Sequence, residues 1–143
     1  MAKTFSLPKA ERINSKKQID RLFRGGGSKA MTAFPLRMVY MIEERGEDAR
    51  EPAAQMMVSV PKRYFKRAVK RNRVKRQVRE AYRLNKHILD ESLAKTACRN
   101  VSLCFIWNAD VLHTSAEISG KVAGLLTRLA ERLDRESEEK NAL

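Results

Sequence analysis

The chain has 143 residues, of which 43% are hydrophobic and 33% charged, and its formal net charge is +13. This length and composition suit one domain with a single core and exclude a disordered chain. The sequence has no run of about eighteen apolar residues and no apolar signal-peptide centre, so we predict a cytoplasmic protein. The excess of positive charge makes nucleic acid the first partner to consider.

The residues that most often carry catalysis or metal binding are few and scattered. Cys98 and Cys104 do not form a C-x-x-C pair and have no histidine at metal-ligand spacing, so we expect reduced, buried thiols. His87 and His113 are single and have no evident carboxylate or nucleophile partner, which indicates no catalytic residue. Asp110 stands alone after a strand and is assigned to a turn, so no metal ligand is predicted.

The first half of the chain predicts one helix followed by two strands. Ser15 and Gln18 stand at capping-box spacing, so a helix is expected from about Lys16 to Arg24, and the glycines at 25–27 are expected to end it. Residues 36–42 and 55–60 are rich in strand-forming apolar residues. We predict that these two strands are joined by an acidic surface loop.

The second half predicts two longer helices around a central strand. A helical period runs from about Ala68 to Leu89, and the apolar run 101–107 predicts a strand covered on both sides, with Trp107 in the core. Thr114 and Glu117 form a capping-box pattern that opens a third helix. Its predicted buried residues are Ile118, Val122, Leu125, Leu126 and Leu129. We therefore predict a small mixed α/β sandwich, with one domain over 1–133 and an acidic flexible tail over 134–143.

The positive charge is concentrated in one segment. Between Lys62 and Lys86 there are twelve basic residues and one acidic residue, Glu80, so this segment carries +11 of the chain's +13. A solubilising helix face normally mixes charges of both signs, whereas here like charges stand four residues apart. Guanidinium groups also match phosphate oxygens in two-point geometry. The predicted RNA-binding residues are Lys62, Arg63, Lys70, Arg71, Asn72, Arg73, Lys75, Arg76, Arg79 and Arg83.

The segment KRAVKRNRVKRQVREAYR, residues 66–83, resembles the signature helix of the bacterial ribonuclease P protein family. The N-terminal stretch LPKAERINSKKQIDRLFRGG and the stretch VSVPKR before the helix also resemble that family. The resemblance extends over about 7–133. It implies a mixed sheet of about four strands packed with three helices, and a left-handed β-α-β crossover.

The resemblance also implies a function. The chain would be the accessory, monomeric subunit of an endoribonuclease that removes 5′ leaders from precursor tRNA, with ribonuclease P RNA and precursor tRNA as partners. The RNA subunit would carry the metal-dependent chemistry, so Mg²⁺ is expected with the RNA and no cofactor on the protein alone. The predicted leader cleft contains Ile19, Phe23 and Tyr40, although many members have an aromatic residue where this chain has Ile19.

Two questions stay open at this level. Tyr64 and Phe65 either stack on RNA or cap the core, and the sequence favours neither. The basic charge also fits a general structured-RNA-binding or ribosome-associated protein, which dependence of binding on a 5′ leader would distinguish. Docking on a membrane or an acidic groove is less favoured, because the core needs the apolar face of the basic helix.

Overall fold

The computed structural model describes residues 7–24, 26–44, 52–95 and 99–141. Two short 3₁₀ turns, Lys9–Glu11 and Lys86–Leu89, accompany the regular elements. None of the helices in these ranges is long and apolar enough to cross a membrane. In chain order the elements are α1 (Lys16–Arg24), β1 (Lys29–Ala33), β2 (Leu36–Glu44), β3 (Ala54–Ser59), α2 (Ala68–Asn85), α3 (Asp90–Lys95), β4 (Arg99–Trp107) and α4 (Ser115–Asn141).

The four strands form one mixed sheet in the order β1-β2-β4-β3. β2 is antiparallel to both β1 and β4, whereas β3 and β4 are parallel neighbours joined through α2 and α3. The predicted mixed α/β architecture with a central apolar strand is therefore confirmed, since β4 has a neighbour on each side. The left hand of the β-α-β crossover stays a prediction.

The two faces of the sheet pack against different helices. Successive residues of a strand point to opposite faces, so neighbouring strand residues belong to different clusters. Tyr40 lies opposite Leu103 in the sheet register, and both belong to the main core with the buried residues of α2 and α4. Val39 lies opposite Cys104, and both belong to a smaller cluster with Leu22 of α1. The sheet thus separates the basic helix α2 from α1.

The predicted bounds of α1 are confirmed, although its capping box is only half formed. The Ser15 hydroxyl accepts a hydrogen bond from the Gln18 backbone N–H at 3.5 Å. The Gln18 side chain instead donates to Gln55 Oε1 at 2.6 Å and to Ser102 Oγ at 3.1 Å, which fastens α1 to the sheet. Gly26 has φ +76°, as the predicted turn requires, and Gly25 lies outside the described residues.

Three features differ from the sequence prediction. The helix expected to reach Leu89 ends as an α-helix at Asn85, whose Nδ2 donates to the Ser119 hydroxyl of α4 at 3.1 Å, and a 3₁₀ turn follows. The short helix α3 was not predicted. Strand β1 was not predicted either, because Met31 is its only buried residue and gives too weak an alternation. The loop 45–51 and Cys98 lie outside the described residues.

Helix α4 opens as predicted, with the Thr114 hydroxyl accepting a hydrogen bond from the Glu117 N–H at 3.2 Å. The predicted tail boundary at 134 falls inside this helix, which continues to Asn141. Asp134 accepts a hydrogen bond from the Ser92 hydroxyl of α3 at 2.9 Å. All five residues predicted to be buried in the helix are fully buried: Ile118, Val122, Leu125, Leu126 and Leu129.

Candidate nucleic-acid interface

Helix α2 is held in place by its apolar face. Val74, Val78, Ala81 and Tyr82 recur at helical spacing and are all buried in the main core against the sheet and α4. Burial of this face fixes the rotation of the helix about its own axis, since a turn of one residue would push charged side chains into the core. The opposite face is therefore presented outward.

The outward face carries an unneutralised row of basic side chains, which we call the arginine face: Arg73, Arg76 and Arg79. All three are exposed, as is neighbouring Asn72, and none forms an ion pair with a carboxylate of the described residues. Lys75 flanks the row and is partly buried. The row places like charges one turn apart, which raises the free energy of the isolated helix and favours an anionic partner.

Two other cations of the segment are engaged within the protein. The Arg83 guanidinium donates through Nε to Glu80 Oε2 at 3.0 Å, and this hydrogen bond lowers the pKa of the Glu80 carboxyl. Lys86 Nζ lies 3.0 Å from Glu11 Oε1. Arg83, predicted as an RNA-binding residue, therefore offers less free charge than its position in the motif suggested.

Arg71 holds the loop that leads into α2. Its Nη1 donates to the carbonyl oxygens of Phe65 at 2.7 Å and Lys66 at 2.9 Å. These bonds matter because no side chain caps the start of α2. The two predicted contact residues of the loop, Lys62 and Arg63, are both exposed. Lys70 of α2, which was also predicted to contact RNA, is exposed as well.

The structure answers half of the open question about the aromatic pair in this loop. Phe65 is buried in the main core, so it caps the core and does not stack on RNA. Tyr64 is only partly buried; its hydroxyl hydrogen bonds to Asn108 Oδ1, and the Arg63 guanidinium lies 4.9 Å above its ring. Tyr64 therefore ties the loop to the end of β4 and supports one basic side chain.

A groove beside the arginine face was not foreseen from the sequence. Gln77 Nε2 bridges α2 to the start of α4 by donating to the His113 carbonyl oxygen at 3.3 Å and to the Ser115 hydroxyl at 3.1 Å. Ser115 follows Gln77 by 38 residues, so no sequence spacing signals this contact. The groove has a volume of about 580 Å³ and is lined by Val69, Arg73, Arg76, Gln77, Glu80 and Ser115.

The three residues predicted for the leader cleft do not come together. Phe23 is 47% exposed and Ile19 is partly buried, and both belong to α1. Tyr40 is 2% exposed and lies in the core on the opposite face of the sheet. Its assignment to a cleft with α1 is therefore wrong, because even-numbered residues of β2 face α2 and α4. Arg37 is exposed on an odd-numbered position of β2, on the α1 side.

The remaining candidate residues have structural surroundings. His113 has a carboxylate partner that the sequence reading missed: its Nδ1 lies 2.9 Å from Glu117 Oε2, and this contact lowers the pKa of the Glu117 carboxyl. Trp107 is fully buried, as predicted. Cys104 is also buried, and burial raises the pKa of its thiol to about 12. The described residues include no group of three or more His, Cys, Asp or Glu side chains placed to hold a metal ion.

Comparison with known proteins identifies relatives over most of the chain. The family model for ribonuclease P matches residues 7–129. A ribonuclease P protein component of Porphyromonas gingivalis is 51% identical over 90 residues, which are 63% of this chain and 62% of that protein. The one from Chlorobaculum tepidum is 33% identical over 132 residues, covering 89% of this chain and 84% of the relative. The match thus spans less than two thirds of the Porphyromonas protein but most of the Chlorobaculum one.

Solved structures agree on the fold. The RNase P protein from Thermotoga maritima superposes with a TM-score of 0.61 at 19% identity, covering 82% of this chain and 96% of that one. An RNase P protein mutant from Staphylococcus aureus also gives a TM-score of 0.61, at 17% identity, covering 86% and 90% of the two chains. The fold, the outward arginine face within the segment 66–83 and the family match agree: this chain belongs to the ribonuclease P protein family.

Proposed function

We propose that this chain is the protein subunit of a ribonuclease P, which binds the catalytic RNA and the 5′ leader of precursor tRNA and promotes removal of that leader. The observation that carries the proposal is the arginine face of α2, exposed and without a carboxylate partner among the described residues. Its residues stand within the segment 66–83, which resembles the family's signature helix and lies inside the range 7–129 that the family model matches.

The arginine face suits the phosphate backbone of a folded RNA. Each guanidinium presents paired N–H donors to phosphate oxygens, and each contact releases condensed counterions from the RNA. Because the opposite face of α2 is locked in the core, Arg73, Arg76 and Arg79 are held in a fixed row. Because the helix backbone is already ordered, the row loses less backbone conformational entropy on binding than a flexible basic tail would.

The α1 side of the sheet suits a single-stranded leader. Phe23 supplies an exposed ring on which a base can stack, and Arg37 supplies a positive charge on the same face. Ile19 contributes apolar contact only, because an aliphatic side chain cannot stack as a ring does. Tyr40 takes no part in this surface, since its side chain lies on the other face of the sheet.

The division of labour follows from the residues available. Mg²⁺ bound with the RNA subunit would supply the chemistry of phosphodiester hydrolysis, whereas the side chains of this protein bind and orient the two RNAs. The His113–Glu117 pair also includes the Thr114 hydroxyl, which donates to the Glu117 carboxylate and accepts from the Glu117 N–H, so we assign all three residues to capping α4. In this proposal the chain acts in the cytoplasm as a monomeric subunit of a ribonucleoprotein.

Reconstitution tests the proposal directly. The chain is added to a bacterial ribonuclease P RNA at low magnesium, and release of the 5′ leader from precursor tRNA is measured. We expect the protein to restore leader removal and to bind precursor tRNA more tightly than mature tRNA in the complex. Equal affinity for both tRNAs together with no gain in cleavage would contradict the proposal and favour a general structured-RNA-binding protein.

A further inference from the structure

An aromatic ring is exposed at the end of the sheet, away from α1 and outside the arginine face. Phe34, in the turn between β1 and β2, is 60% exposed. Its ring meets the His113 imidazole edge-on at 6.1 Å, and His113 in turn meets the buried Trp107 indole at 5.5 Å. The Phe34 ring is therefore supported by two successive edge-to-face ring contacts that reach the core.

The exposed ring is connected to the arginine face through two residues, His113 and Gln77. The backbone carbonyl oxygen of His113 accepts a hydrogen bond from Gln77 Nε2 at 3.3 Å. Gln77 lines the groove of about 580 Å³ together with Arg73 and Arg76. His113 therefore contacts the Phe34 ring through its imidazole and Gln77, a lining residue of the groove, through its carbonyl oxygen.

The charge around this surface favours a polyanion. The loop before α2 presents exposed Lys62, Arg63 and Lys66, and the Tyr64 hydroxyl ties this loop to Asn108, next to the end of β4. Three acids are also exposed nearby: Asp110, Glu117 and Glu80, the last in the lining of the groove. The Glu117 carboxylate is held by His113 and Thr114, and the Glu80 carboxylate by Arg83. An aromatic ring set beside phosphate-binding cations is the arrangement that binds unpaired nucleotides.

We propose that Phe34 is a stacking platform for an unpaired base of the RNA that binds the arginine face, with an adjoining phosphate in the groove between Arg73 and Arg76. This inference rests on the proposed function. In this arrangement the RNA contacts two elements, α2 and the β1–β2 turn, and His113 supports the Phe34 ring of that turn. Stacking accepts any base, because every base has a π-face, so the platform selects an unpaired nucleotide and not a particular sequence.

Two substitutions at one position separate stacking from simple apolar contact. Phe34→Leu keeps an apolar side chain and removes the ring, so we expect affinity of the full chain for a bacterial ribonuclease P RNA to fall about tenfold. Phe34→Trp keeps a ring, so we expect affinity within about twofold of the parent protein. Val111→Ala is the matched control: Val111 is 56% exposed, lies two residues before His113 and has no ring, so its removal leaves affinity unchanged.

Photocrosslinking gives an independent readout. Ribonuclease P RNA containing 5-iodouridine is irradiated in complex with the chain, and the crosslinked peptides are identified by mass spectrometry. We expect a crosslink at Phe34 that disappears in Phe34→Leu, while thermal unfolding followed by Trp107 fluorescence is unchanged. Crosslinks confined to other segments, together with full affinity of Phe34→Leu, would overturn the inference.

The outcomes distinguish this inference from the function on which it rests. If Arg76→Ala weakens RNA binding and Phe34→Leu does not, the stacking platform is wrong and the proposed function stands. If neither substitution weakens binding to ribonuclease P RNA, the proposed function fails as well. If Phe34→Leu and Val111→Ala both change the sedimentation of the chain alone, the surface that carries Phe34 and Val111 is a contact between copies of this chain. That result would overturn the stacking platform.

Discussion

Arg71 Nη1 donates a hydrogen bond to the carbonyl oxygen of Phe65 at 2.7 Å, although Arg71 is one of the residues that the sequence predicts to contact RNA. The bond joins the first turn of α2 to the loop that precedes it. The Arg71 guanidinium thus maintains the geometry of α2, so the segment 66–83 combines a structural residue with residues that face outward.

The first prediction compares Arg71→Ala with Arg76→Ala. Removing Arg71 deletes two charge-assisted bonds to loop carbonyls, so we expect the free energy of unfolding to fall by about 1.5–3 kcal/mol. Removing exposed Arg76 changes the free energy of unfolding by less than about 0.5 kcal/mol. Chemical denaturation of both variants is the measurement. Equal stabilities of the two variants would contradict the structural role of Arg71.

The second prediction concerns the salt dependence of RNA binding. Arg76→Ala and Arg79→Ala each remove about one phosphate contact, so the slope of log affinity against log salt becomes shallower by about one unit in each variant. Arg132→Ala, which removes an exposed arginine of α4, controls for net charge. A slope unchanged in the α2 variants would exclude those residues as phosphate contacts.

The third prediction tests the orientation of α2. Val78 is fully buried, so Val78→Asp places an unpaired carboxylate in the core and prevents stable folding. Val69 lies on the same helix and is 77% exposed, so Val69→Asp is tolerated. Circular dichroism melting curves of the two variants are compared. The assignment of the two helix faces is wrong if both variants melt alike.

The fourth prediction separates the two faces of the sheet. Phe23→Leu removes the exposed ring of α1, so we expect weaker binding of precursor tRNA and unchanged binding of mature tRNA in the reconstituted complex. Tyr40→Phe alters a ring on the opposite face and leaves this leader dependence unchanged. Leader dependence that is lost in Tyr40→Phe and kept in Phe23→Leu would reverse this assignment.

The fifth prediction concerns the buried thiol. Burial raises the pKa of the Cys104 thiol to about 12, whereas the thiol of the unfolded chain has a pKa of about 8.5. Between these two pH values the folded state keeps the thiol proton and the unfolded state loses it. The unfolded state then binds fewer protons, and stability falls as pH rises from about 8.5 to about 12. Cys104→Ala should make the fall in stability over this pH range smaller.

Thiol reactivity tests the burial of Cys104 separately. In a Cys98→Ser background, Ellman's reagent at pH 8 should react with Cys104 only after denaturant is added, and rapid reaction in native buffer would contradict its burial.

Local patterns were sufficient for several elements of this protein. The bounds of α1, the start of α2 and the five buried residues of α4 follow from apolar periodicity and capping spacing, which are properties of neighbouring residues. Strand β1 and the 3₁₀ turn after Asn85 escaped prediction because they depend on partners elsewhere: β2 pairs with β1, and Ser119 of α4 receives the Asn85 side chain.

The sequence by itself determined that a basic helix with one apolar face is present, because local charge and helical periodicity depend only on residues close together in the chain. The Arg83–Glu80 pair and the bonds of Arg71 to loop carbonyls join residues three to six positions apart, so they are local contacts. Only the tertiary structure decided that Lys86 is held by Glu11, which stands 75 residues earlier in the chain. It also decided that Tyr40 and α1 lie on opposite sides of the sheet. Such relationships depend on contacts between residues far apart in the chain, where strand pairing and helix packing, and not local spacing, set which groups meet.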